Sequence, residues 1–259
     1  MGTMTNSTEH TPSPDRRRAV VTGASTGIGA ATVRQLATVG WSVLAVARRG
    51  DRLRALAGDT GCDVVTADIT SEDDVARIVE AAGPVHAVVN NAGGARGVET
   101  IADADLGKWS WMYDVNVLGT VRLTKALLPA LRASGRGDIV IVSSVAGRVT
   151  YEGGGGYAAA KHAERVVAET LRLELNGEPI RVIEIAPGLV HTEEFSLRRL
   201  GGDRAAADAV YAGVPGPLSA DDVAECIAWT LSRPHHVNID QLVVKPLAQA
   251  AIHKMHRTP

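Results

Sequence analysis

Short β-rich runs alternate with longer helical patterns along most of the chain, and no other feature of the sequence constrains the fold as strongly. Such alternation is typical of βαβ units that build a parallel sheet. The β-rich runs are continuously apolar, which indicates strands that are covered by helices on both faces. Seven strands are predicted, at residues 18–22, 42–47, 62–67, 85–90, 138–143, 180–186 and 241–244.

Helical patterns lie between these strands. Residues 71–82 form one, with Ser71 and Asp74 at capping-box spacing, and residues 221–232 form another, with Ser219 as the expected N-cap. A chain of 259 residues, 45% of them hydrophobic, is long enough to bury one substantial core. We therefore predict one α/β domain over 17–259, with about seven parallel strands in a doubly wound sheet and helices on both faces. Residues 1–16 are rich in Thr, Ser, Pro and Asn and are expected to be a disordered leader.

Composition argues against several classes of partner. The formal net charge is −2 and the charges are scattered, so we expect no nucleic acid partner. No apolar run approaches the roughly 18–20 residues of a membrane helix, so we expect no membrane partner. Cys62 and Cys226 lack CxxC spacing, which favours a reducing cytoplasm. His235 and His236 have no convincing ligand partners in the sequence and are assigned to a loop or subunit interface, so no metal is predicted.

The first predicted strand leads through TGASTGIG, at 22–29, directly into a helical pattern. Glycine permits positive φ and leaves room for a diphosphate, and a helix N-terminus presents unpaired N–H groups to it. An ordinary βα turn is the alternative interpretation of these glycines. The phosphate-binding interpretation assigns the following cofactor residues: Gly23, Ser25, Thr26, Gly27, Ile28 and Gly29.

Two arginines follow the second strand, where many dinucleotide-binding folds place an acid that holds the ribose 2′-hydroxyl of NAD. Arg48 and Arg49 suit a 2′-phosphate, because guanidinium groups bind it and a carboxylate would repel it. We therefore predict NADP(H) as the preferred cofactor. NAD(H) stays possible, since the arginines are also suited to a solvated helix start and Asp51 is near enough in sequence to reach the ribose.

A second group of residues predicts acid–base chemistry. Tyr157 and Lys161 are four residues apart in a helical pattern that continues to about Asn176, so they share one helix face. A nearby cation lowers the pKa of a phenol, which makes Tyr157 a candidate proton donor and acceptor. Ser144 follows the strand at 138–143, at the sheet edge that binds ligands, and its hydroxyl is suited to hold a substrate oxygen. Ser143 is expected to point to the other side of the strand in a structural hydrogen bond.

Taken together, TGASTGIG, NNAG at 90–93, Asn116, Ser144 and YAAAK at 157–161 resemble the short-chain dehydrogenase/reductase (SDR) family. The resemblance spans about residues 18–246 and implies a Rossmann-type fold. It also implies a catalytic tetrad in which Asn116 bends its helix and anchors a water that relays protons toward Lys161. Further cofactor residues implied by it are Asp68 and Ile69 beside the adenine, Asn91, Ala92 and Gly93 along the cofactor, Lys161 at the nicotinamide ribose, and Pro187, Gly188, Val190 and Thr192 at the nicotinamide amide. Tyr157 is also assigned to cofactor binding.

The C-terminal third departs from the glycine-rich ending of many SDR chains. It reads HVNIDQLVVKPLAQA after the last helix, with TEEFS at 192–196 and GGD at 201–203. These segments resemble a bacterial branch of NADP-dependent 3-hydroxy acid dehydrogenases. That branch also includes reductases of unrelated substrates.

Substrate residues are predicted from the loops around the tyrosine. Tyr151 and the glycines at 153–156 are expected to form a roomy and mobile wall, with Ser144 and Tyr157 at the reacting oxygen. The segment at about 191–218 is predicted to be a lid whose apolar underside carries Phe195, Leu197 and Leu200. Arg96 and Arg148 are candidates for binding a substrate carboxylate, and solvated loop arginines are the alternative.

The sequence thus predicts hydride transfer between NADP(H) and a secondary alcohol or its ketone or aldehyde, the substrate being a small molecule such as a 3-hydroxy acid. A reductase of 3-oxoacyl thioesters or cyclic ketones is an alternative that the motifs do not separate. An NADP-sensing binding protein is an alternative of another class. The resemblance further implies a homodimer or homotetramer that pairs through the helices at 106–131 and 158–175.

Overall fold

The computed structural model describes residues 16–259, so the expected leader at 1–16 lies outside the described residues apart from Arg16. Seven parallel strands form one sheet: β1 (Arg18–Thr22), β2 (Ser42–Ala47), β3 (Asp63–Thr66), β4 (Ala87–Asn90), β5 (Gly137–Val142), β6 (Ile180–Pro187) and β7 (Gln241–Val244). Their order in the sheet is β3-β2-β1-β4-β5-β6-β7. All seven predicted strands are present, four of them with shifted ends, which confirms the predicted sheet.

Helices cover both faces of this sheet, as the doubly wound fold requires. The helices within residues 16–259 are α1 (Gly27–Thr38), α2 (Gly50–Thr60), α3 (Glu72–Ala82), α4 (Leu106–Tyr113), α5 (Gly119–Ala133), α6 (Gly155–Glu174), α7 (Phe195–Arg199), α8 (Arg204–Ala209) and α9 (Ala220–Ser232). On one face α1, α2 and α9 pack against the strands, and on the other face α3, α5 and α6 do so. Short 3-10 segments and one π-helical segment join some of the elements.

The apolar strand runs are explained by two separate cores. In β1, Ala19 and Val21 face the core under α1 and α9, whereas Val20 faces the core under α3 and α5. All three side chains are fully buried. Because alternate residues of a strand point to opposite faces, a strand between two helical layers has to be apolar at every position.

Helix caps follow the sequence with one exception. Ser219 and Asp222 form a complete capping box at the start of α9. Ser71 caps α3 by accepting from the backbone N–H of Asp74 at 3.3 Å. The carboxylate of Asp74, however, accepts from the backbone N–H of Asp68 at 2.7 Å, so the predicted capping box at this helix is one-sided. The Asp74 side chain stabilises the loop after β3 instead.

The end of the chain contains elements that the sequence did not predict. After β7 it forms a small antiparallel hairpin, β8 (Gln249–Ala251) and β9 (Lys254–Met255). The buried side chain of Gln249 accepts a hydrogen bond from the backbone N–H of Leu189 at 2.8 Å. This contact holds the hairpin against the segment after β6. The stretch at 191–218 contains α7 and α8 and is closed by a bridge between Val190 and Leu218.

In the part of the chain that the structure covers, we find no helix with the length and apolarity needed to span a bilayer.

Candidate active site

A cavity of about 1330 Å³ lies at the carboxyl edge of the sheet. The chain leaves β1 toward β2 and β3 on one side and returns to β4 on the other, so the strand order reverses between β1 and β4. Open α/β sheets bind ligands in the crevice outside such a reversal. Of the predicted cofactor residues, all except Gly29 line this cavity: Gly23, Ser25, Thr26, Gly27, Ile28, Arg48, Arg49, Asp68, Ile69, Asn91, Ala92, Gly93, Tyr157, Lys161, Pro187, Gly188, Val190 and Thr192.

The turn from β1 to α1 is built for close approach of a ligand. Gly23 and Gly27 have φ of +66° and +51°, which favours glycine at both positions. Thr26 is the N-cap of α1, but its side chain makes no cap hydrogen bond, and its buried hydroxyl has no partner within residues 16–259. Gly29 does not line the cavity but is required for close packing of the turn, because a Cβ there would come within 2.4 Å of the Gly23 carbonyl oxygen. The free helix terminus and the unpartnered hydroxyl fit the diphosphate of a dinucleotide.

A buried threonine connects the end of β1 with the turn after β4. The hydroxyl of Thr22 accepts from the backbone N–H groups of Asn91 and Ala92, both at 3.0 Å, and donates to the Val89 carbonyl. The Asn91 amide in turn donates to the Thr22 carbonyl at 2.9 Å. The segment at 90–93 is therefore fixed against the end of β1. Sequence reasoning missed Thr22, because a strand-ending threonine gives no signal beyond its β-propensity.

Arginines surround the end of β2. Arg49 donates to the Ser25 hydroxyl through Nε and Nη2, at 3.3 and 3.0 Å, and its Nη1 lies 2.6 Å from a carboxylate oxygen of Glu194. Arg48 lies 3.6 Å from Asp68 in a more exposed pair. Asp51, the acid that the sequence left as an alternative ribose ligand, does not line the cavity. This end of the cavity is therefore lined by paired charges, the arginines at 48 and 49 with Asp68 and Glu194.

Ser144, Tyr157 and Lys161 lie together on one wall of the cavity. Ser144 directly follows the residue after β5, and its hydroxyl accepts from the backbone N–H of Ala146 at 3.1 Å and faces the Tyr157 hydroxyl. The Lys161 ammonium lies 5.8 Å from the centre of the Tyr157 ring. Ser143 points away and donates to Glu184. The assignment of the first three residues as catalytic stays a prediction.

Burial determines the acidity of Tyr157. It raises the pKa of Tyr157 above its ordinary value, and the Lys161 cation and the Ser144 hydroxyl offset only part of this rise. Lys161 thus lowers the Tyr157 pKa as predicted, but the expectation that this pKa is lowered overall is wrong. Burial alone would lower the pKa of the Lys161 ammonium, but its pair with Glu164 raises that pKa overall.

Asn116 lies in a π-helical segment, Asp114–Leu118, between α4 and α5. Its fully buried side-chain amide donates to the carbonyls of Met112 and Gly94, at 2.6 and 3.0 Å, and accepts from the backbone N–H of Gly94 at 3.0 Å. The irregular helix and the turn after β4 are therefore joined by one side chain. The role of Asn116 that the SDR resemblance implies stays a prediction, and Asn116 itself does not line the cavity.

The substrate side of the cavity differs from the sequence expectations in three places. Gly154 and Gly156 are closely packed, because a Cβ would come within 2.4 Å of the Tyr151 ring or 2.5 Å of Met112, so the expectation of a roomy wall at 153–156 is wrong. Arg148 forms two hydrogen bonds of 2.8 Å with the buried carboxylate of Glu184 and does not line the cavity. Leu200 does not line it either.

Other predicted substrate residues do line it. Phe195 packs edge-on against Tyr157, with 5.7 Å between ring centres, and Tyr151 and Leu197 complete this side. Arg96 also lines the cavity, with its guanidinium 3.7 Å from the centre of the Trp111 ring. The predicted lid at 191–218 thus contributes α7 to the cavity.

Arg199 on α7 was missed by sequence reasoning. Its guanidinium donates to the Tyr151 hydroxyl at 2.9 Å and to the carbonyls of Gly97 and Gly153, and lies 5.7 Å from the centre of the Tyr157 ring. The β8–β9 hairpin was also missed and contributes Gln249 and Met255 to the lining. Both come from segments without strong periodicity, so the sequence carried no signal for their placement.

Within the described residues no group of histidine, cysteine or acidic side chains is arranged to hold a metal ion.

A doubly wound sheet with a diphosphate turn at its strand reversal and a serine, tyrosine and lysine beside the cavity defines an NAD(P)-dependent oxidoreductase. The chain belongs to the short-chain dehydrogenase/reductase family, since a model of the family described as short chain dehydrogenase matches residues 17–199.

Known proteins resemble the chain over nearly its whole length. An uncharacterized oxidoreductase of Mycobacterium tuberculosis (strain H37Rv) is 54% identical over 236 residues, which cover 91% of this chain and 93% of the relative. Sulfoacetaldehyde reductase 2 of Chromohalobacter salexigens is 40% identical, with 89% and 94% covered. Among solved structures, the closed form of serine dehydrogenase complexed with NADP+ superposes with a TM-score of 0.88 at 33% identity, covering 93% of this chain and all of that one.

Proposed function

We propose that the protein is an NADP-dependent dehydrogenase that interconverts a small hydroxy acid, such as a 3-hydroxy acid, with its carbonyl compound. The observation that carries this proposal is the position of the Arg199 guanidinium in the cavity. Its guanidinium lines the cavity beside Tyr157 and has no acidic partner within residues 16–259. All its hydrogen bonds there go to the neutral groups of Tyr151, Gly97 and Gly153.

An uncompensated cation in a partly enclosed cavity favours an anionic ligand. A guanidinium binds carboxylate and sulfonate groups through charge-assisted hydrogen bonds, which are about twice as strong as neutral ones. Arg96 adds a second positive charge to the same lining without an acidic partner in the described chain. A substrate with its reacting oxygen at Tyr157 and a carboxylate a few bonds away would meet both requirements.

The relatives support an anionic substrate. Serine dehydrogenase and sulfoacetaldehyde reductase are named for substrates that carry a carboxylate or a sulfonate close to the reacting carbon. Serine is itself a 3-hydroxy acid. The 3-oxoacyl thioesters and cyclic ketones that the motifs leave open carry no such group next to the reaction centre, so Arg199 would have no role toward them.

The preference for NADP rests on the charges around β2. Arg49 and the Ser25 hydroxyl lie together at the cavity wall, and Arg48 lies beside them. These groups can hold a 2′-phosphate, and Asp51 does not line the cavity. NAD lacks the phosphate and would leave the Arg49 charge without its proposed ligand.

The proposed roles of the catalytic residues follow from their hydroxyl and ammonium groups. When bound, the nicotinamide group accepts or supplies the hydride. Ser144 holds the substrate oxygen, and Tyr157 takes the proton from the hydroxyl during oxidation and returns it during reduction. The Lys161 cation stabilises the tyrosinate that this proton transfer requires. Asn116 fixes the turn at 93–94 next to the nicotinamide end of the cavity.

A substrate panel tests the proposal. Hydroxy acids and hydroxyalkyl sulfonates would be assayed with NADP, beside neutral alcohols of equal chain length, in the native protein and in Arg199→Ala and Arg199→Lys. We expect turnover of the anionic substrates, and a KM increase of about tenfold or more in Arg199→Ala, since a charged hydrogen bond contributes about 1.5–3 kcal/mol. Arg204→Ala, an exposed arginine of the neighbouring α8, serves as control. Equal turnover of neutral and anionic alcohols would refute the assignment to hydroxy acids.

A further inference from the structure

A buried carboxylate lies behind the predicted catalytic lysine. Glu164 belongs to α6, one helical turn after Lys161, and is fully buried. Its Oε2 lies 2.6 Å from the Lys161 ammonium nitrogen. Neither carboxylate oxygen has a partner in hydrogen-bond geometry among residues 16–259, so the contact with Lys161 is an ion pair. A fully buried glutamate is rare and is normally paired, so its position next to this lysine calls for a function.

The carboxylate and a backbone carbonyl hold the ammonium group from behind the cavity. Lys161 donates to the carbonyl oxygen of Val142, the last residue of β5, at 3.1 Å. This hydrogen bond occupies one of the three donors of the ammonium group, and the ion pair with Glu164 holds the charge beside it. The lysine also lines the cavity, where a further donor is available. Glu164 therefore restricts where the ammonium nitrogen lies relative to Tyr157.

The charges around Glu164 come from three elements. Lys161 and Tyr157 face it from α6, and Glu184 faces it from β6. Glu184 is neutralised by Arg148, from the 3-10 segment after β5, through two hydrogen bonds of 2.8 Å. Lys161 is therefore the cation that compensates Glu164, and the charge state of Glu164 decides how much of the Lys161 charge is left for Tyr157.

We propose that Glu164 is a positioning residue that acts through Lys161 and sets how strongly the lysine charge stabilises the ionised Tyr157. The proposal rests on the assigned roles of Tyr157 and Lys161. When Glu164 is ionised, it compensates the ammonium charge and the tyrosinate is stabilised less. When Glu164 is protonated, the full charge of Lys161 acts on Tyr157, which lies on the same helix face.

The position of Glu164 makes both states accessible near neutral pH. Burial raises the pKa of Glu164 to about 7, even though the contact with Lys161 lowers it. Glu164 also raises the pKa of Tyr157 by its negative charge. An isosteric neutral residue at this position would therefore make Tyr157 more acidic than in the native protein.

The test follows the ionisation of Tyr157 directly, without substrate or turnover. Protein labelled with ¹³C at the tyrosine ζ-carbon is titrated toward alkaline pH by NMR, and the Tyr157 resonance is assigned by its absence from Tyr157→Phe. Glu164→Gln removes the negative charge of Glu164. Glu164→Met, which has a similar side-chain volume, removes the same charge and replaces the Gln variant if that variant does not fold. The control is Glu169→Gln on the same helix, where the side chain is 39% exposed and pairs with Arg165.

Both Glu164 variants are expected to lower the Tyr157 pKa by about one unit, as removal of a nearby like charge does, and Glu169→Gln is expected to leave it unchanged. Because Tyr157 acts as a base in alcohol oxidation, the acidic limb of kcat/KM for oxidation should then lie at higher pH in the native protein than in Glu164→Gln. An unchanged or raised Tyr157 pKa in both variants would overturn the proposal. Failure to turn over hydroxy acids would count against the proposed function only, because the NMR titration requires no substrate.

Discussion

Arg49 and Glu194 form an ion pair of 2.6 Å that connects the end of β2 with the start of α7. Two further arginines, Arg52 and Arg198, lie 3.3 and 2.7 Å from the same carboxylate. Glu194 is largely buried, with 14% of its side chain exposed. A carboxylate of the predicted lid thus lies beside Arg49, which is proposed to hold the cofactor 2′-phosphate, so we expect cofactor binding and the position of this segment to depend on the same charges.

Arg49→Ala is expected to weaken NADPH binding by about tenfold or more and to change NADH binding little. The reason is that the lost interaction, a charged hydrogen bond of about 1.5–3 kcal/mol, is made only to the 2′-phosphate. Fluorescence titration with the two reduced cofactors in parallel measures the effect. Arg54→Ala, which alters an exposed arginine of α2 outside the cavity lining, is the matched control. Equal loss of affinity for both cofactors would show that Arg49 acts through its contact with Glu194 rather than through the 2′-phosphate.

Glu194→Gln is expected to act in the opposite direction. The carboxylate competes with a 2′-phosphate for Arg49 and repels its charge, so its removal should tighten NADPH binding by several-fold, about 1 kcal/mol. NADH binding should stay within about twofold. Isothermal titration with each cofactor measures this difference. Glu193→Gln is the control, because Glu193 is 65% exposed and contacts Arg52 only. Weaker NADPH binding in Glu194→Gln would contradict the competition.

Tyr157→Phe is expected to lower kcat by about 10²–10⁴-fold, the contribution of a general acid–base group. Cofactor affinity should largely survive, because the phenol hydroxyl is lost while the ring and its contact with Phe195 are retained. Steady-state assays combined with a cofactor titration separate the two effects. Tyr113→Phe, on the exposed surface of α4, should behave like the native protein. Native turnover in Tyr157→Phe would remove Tyr157 from the chemistry.

Glu164 is expected to make stability depend on pH. Burial raises its pKa from an ordinary 4.5 to about 7, so the folded protein holds this proton more tightly than the unfolded chain does. Stability therefore falls as the pH rises through this window, by up to about 3 kcal/mol at about 1.4 kcal/mol per pKa unit. Denaturant unfolding of the native protein and of Glu164→Gln at several pH values measures the difference. Their stability difference should change steadily between pH 4.5 and 7, and a constant difference would exclude this titration.

Exposed apolar side chains on α5 and α6 support self-association. Val166 and Leu173 lie seven residues apart on α6 and are 57% and 79% exposed, and Leu118 and Val121 form an exposed apolar pair at the start of α5. We expect a homodimer or homotetramer that covers this face, as apolar patches on a soluble surface commonly mark interfaces. Sedimentation velocity should show the assembly in the native protein and a smaller species in Val166→Lys. An unchanged assembly in that variant would place the interface elsewhere.

Much of the fold and of the site was predictable because both depend on local patterns. The strand positions follow from continuous apolar runs, and the glycine turn at 22–29 carries its own backbone requirement. Ser144, Tyr157 and Lys161 were found because spacing on a strand end and along one helix face brings them together. The same local spacing correctly predicted Ser219 as an N-cap. It also predicted a full capping box at Ser71, which does not form because the Asp74 carboxylate accepts from the backbone N–H of Asp68 instead.

What the tertiary structure alone decided concerns charges and contacts between segments that are distant in sequence. Sequence reasoning offered Arg148 as a substrate ligand, but folding pairs it with Glu184, and it places the unmentioned Arg199 beside Tyr157 instead. The sequence also predicted a lowered pKa for Tyr157, but the effect of burial on this pKa outweighs that of the lysine charge. Patterns in the sequence determine which elements form and which residues share a face. Desolvation and long-range pairing depend on how those elements pack, so the final charge balance of this site is a property of the folded chain.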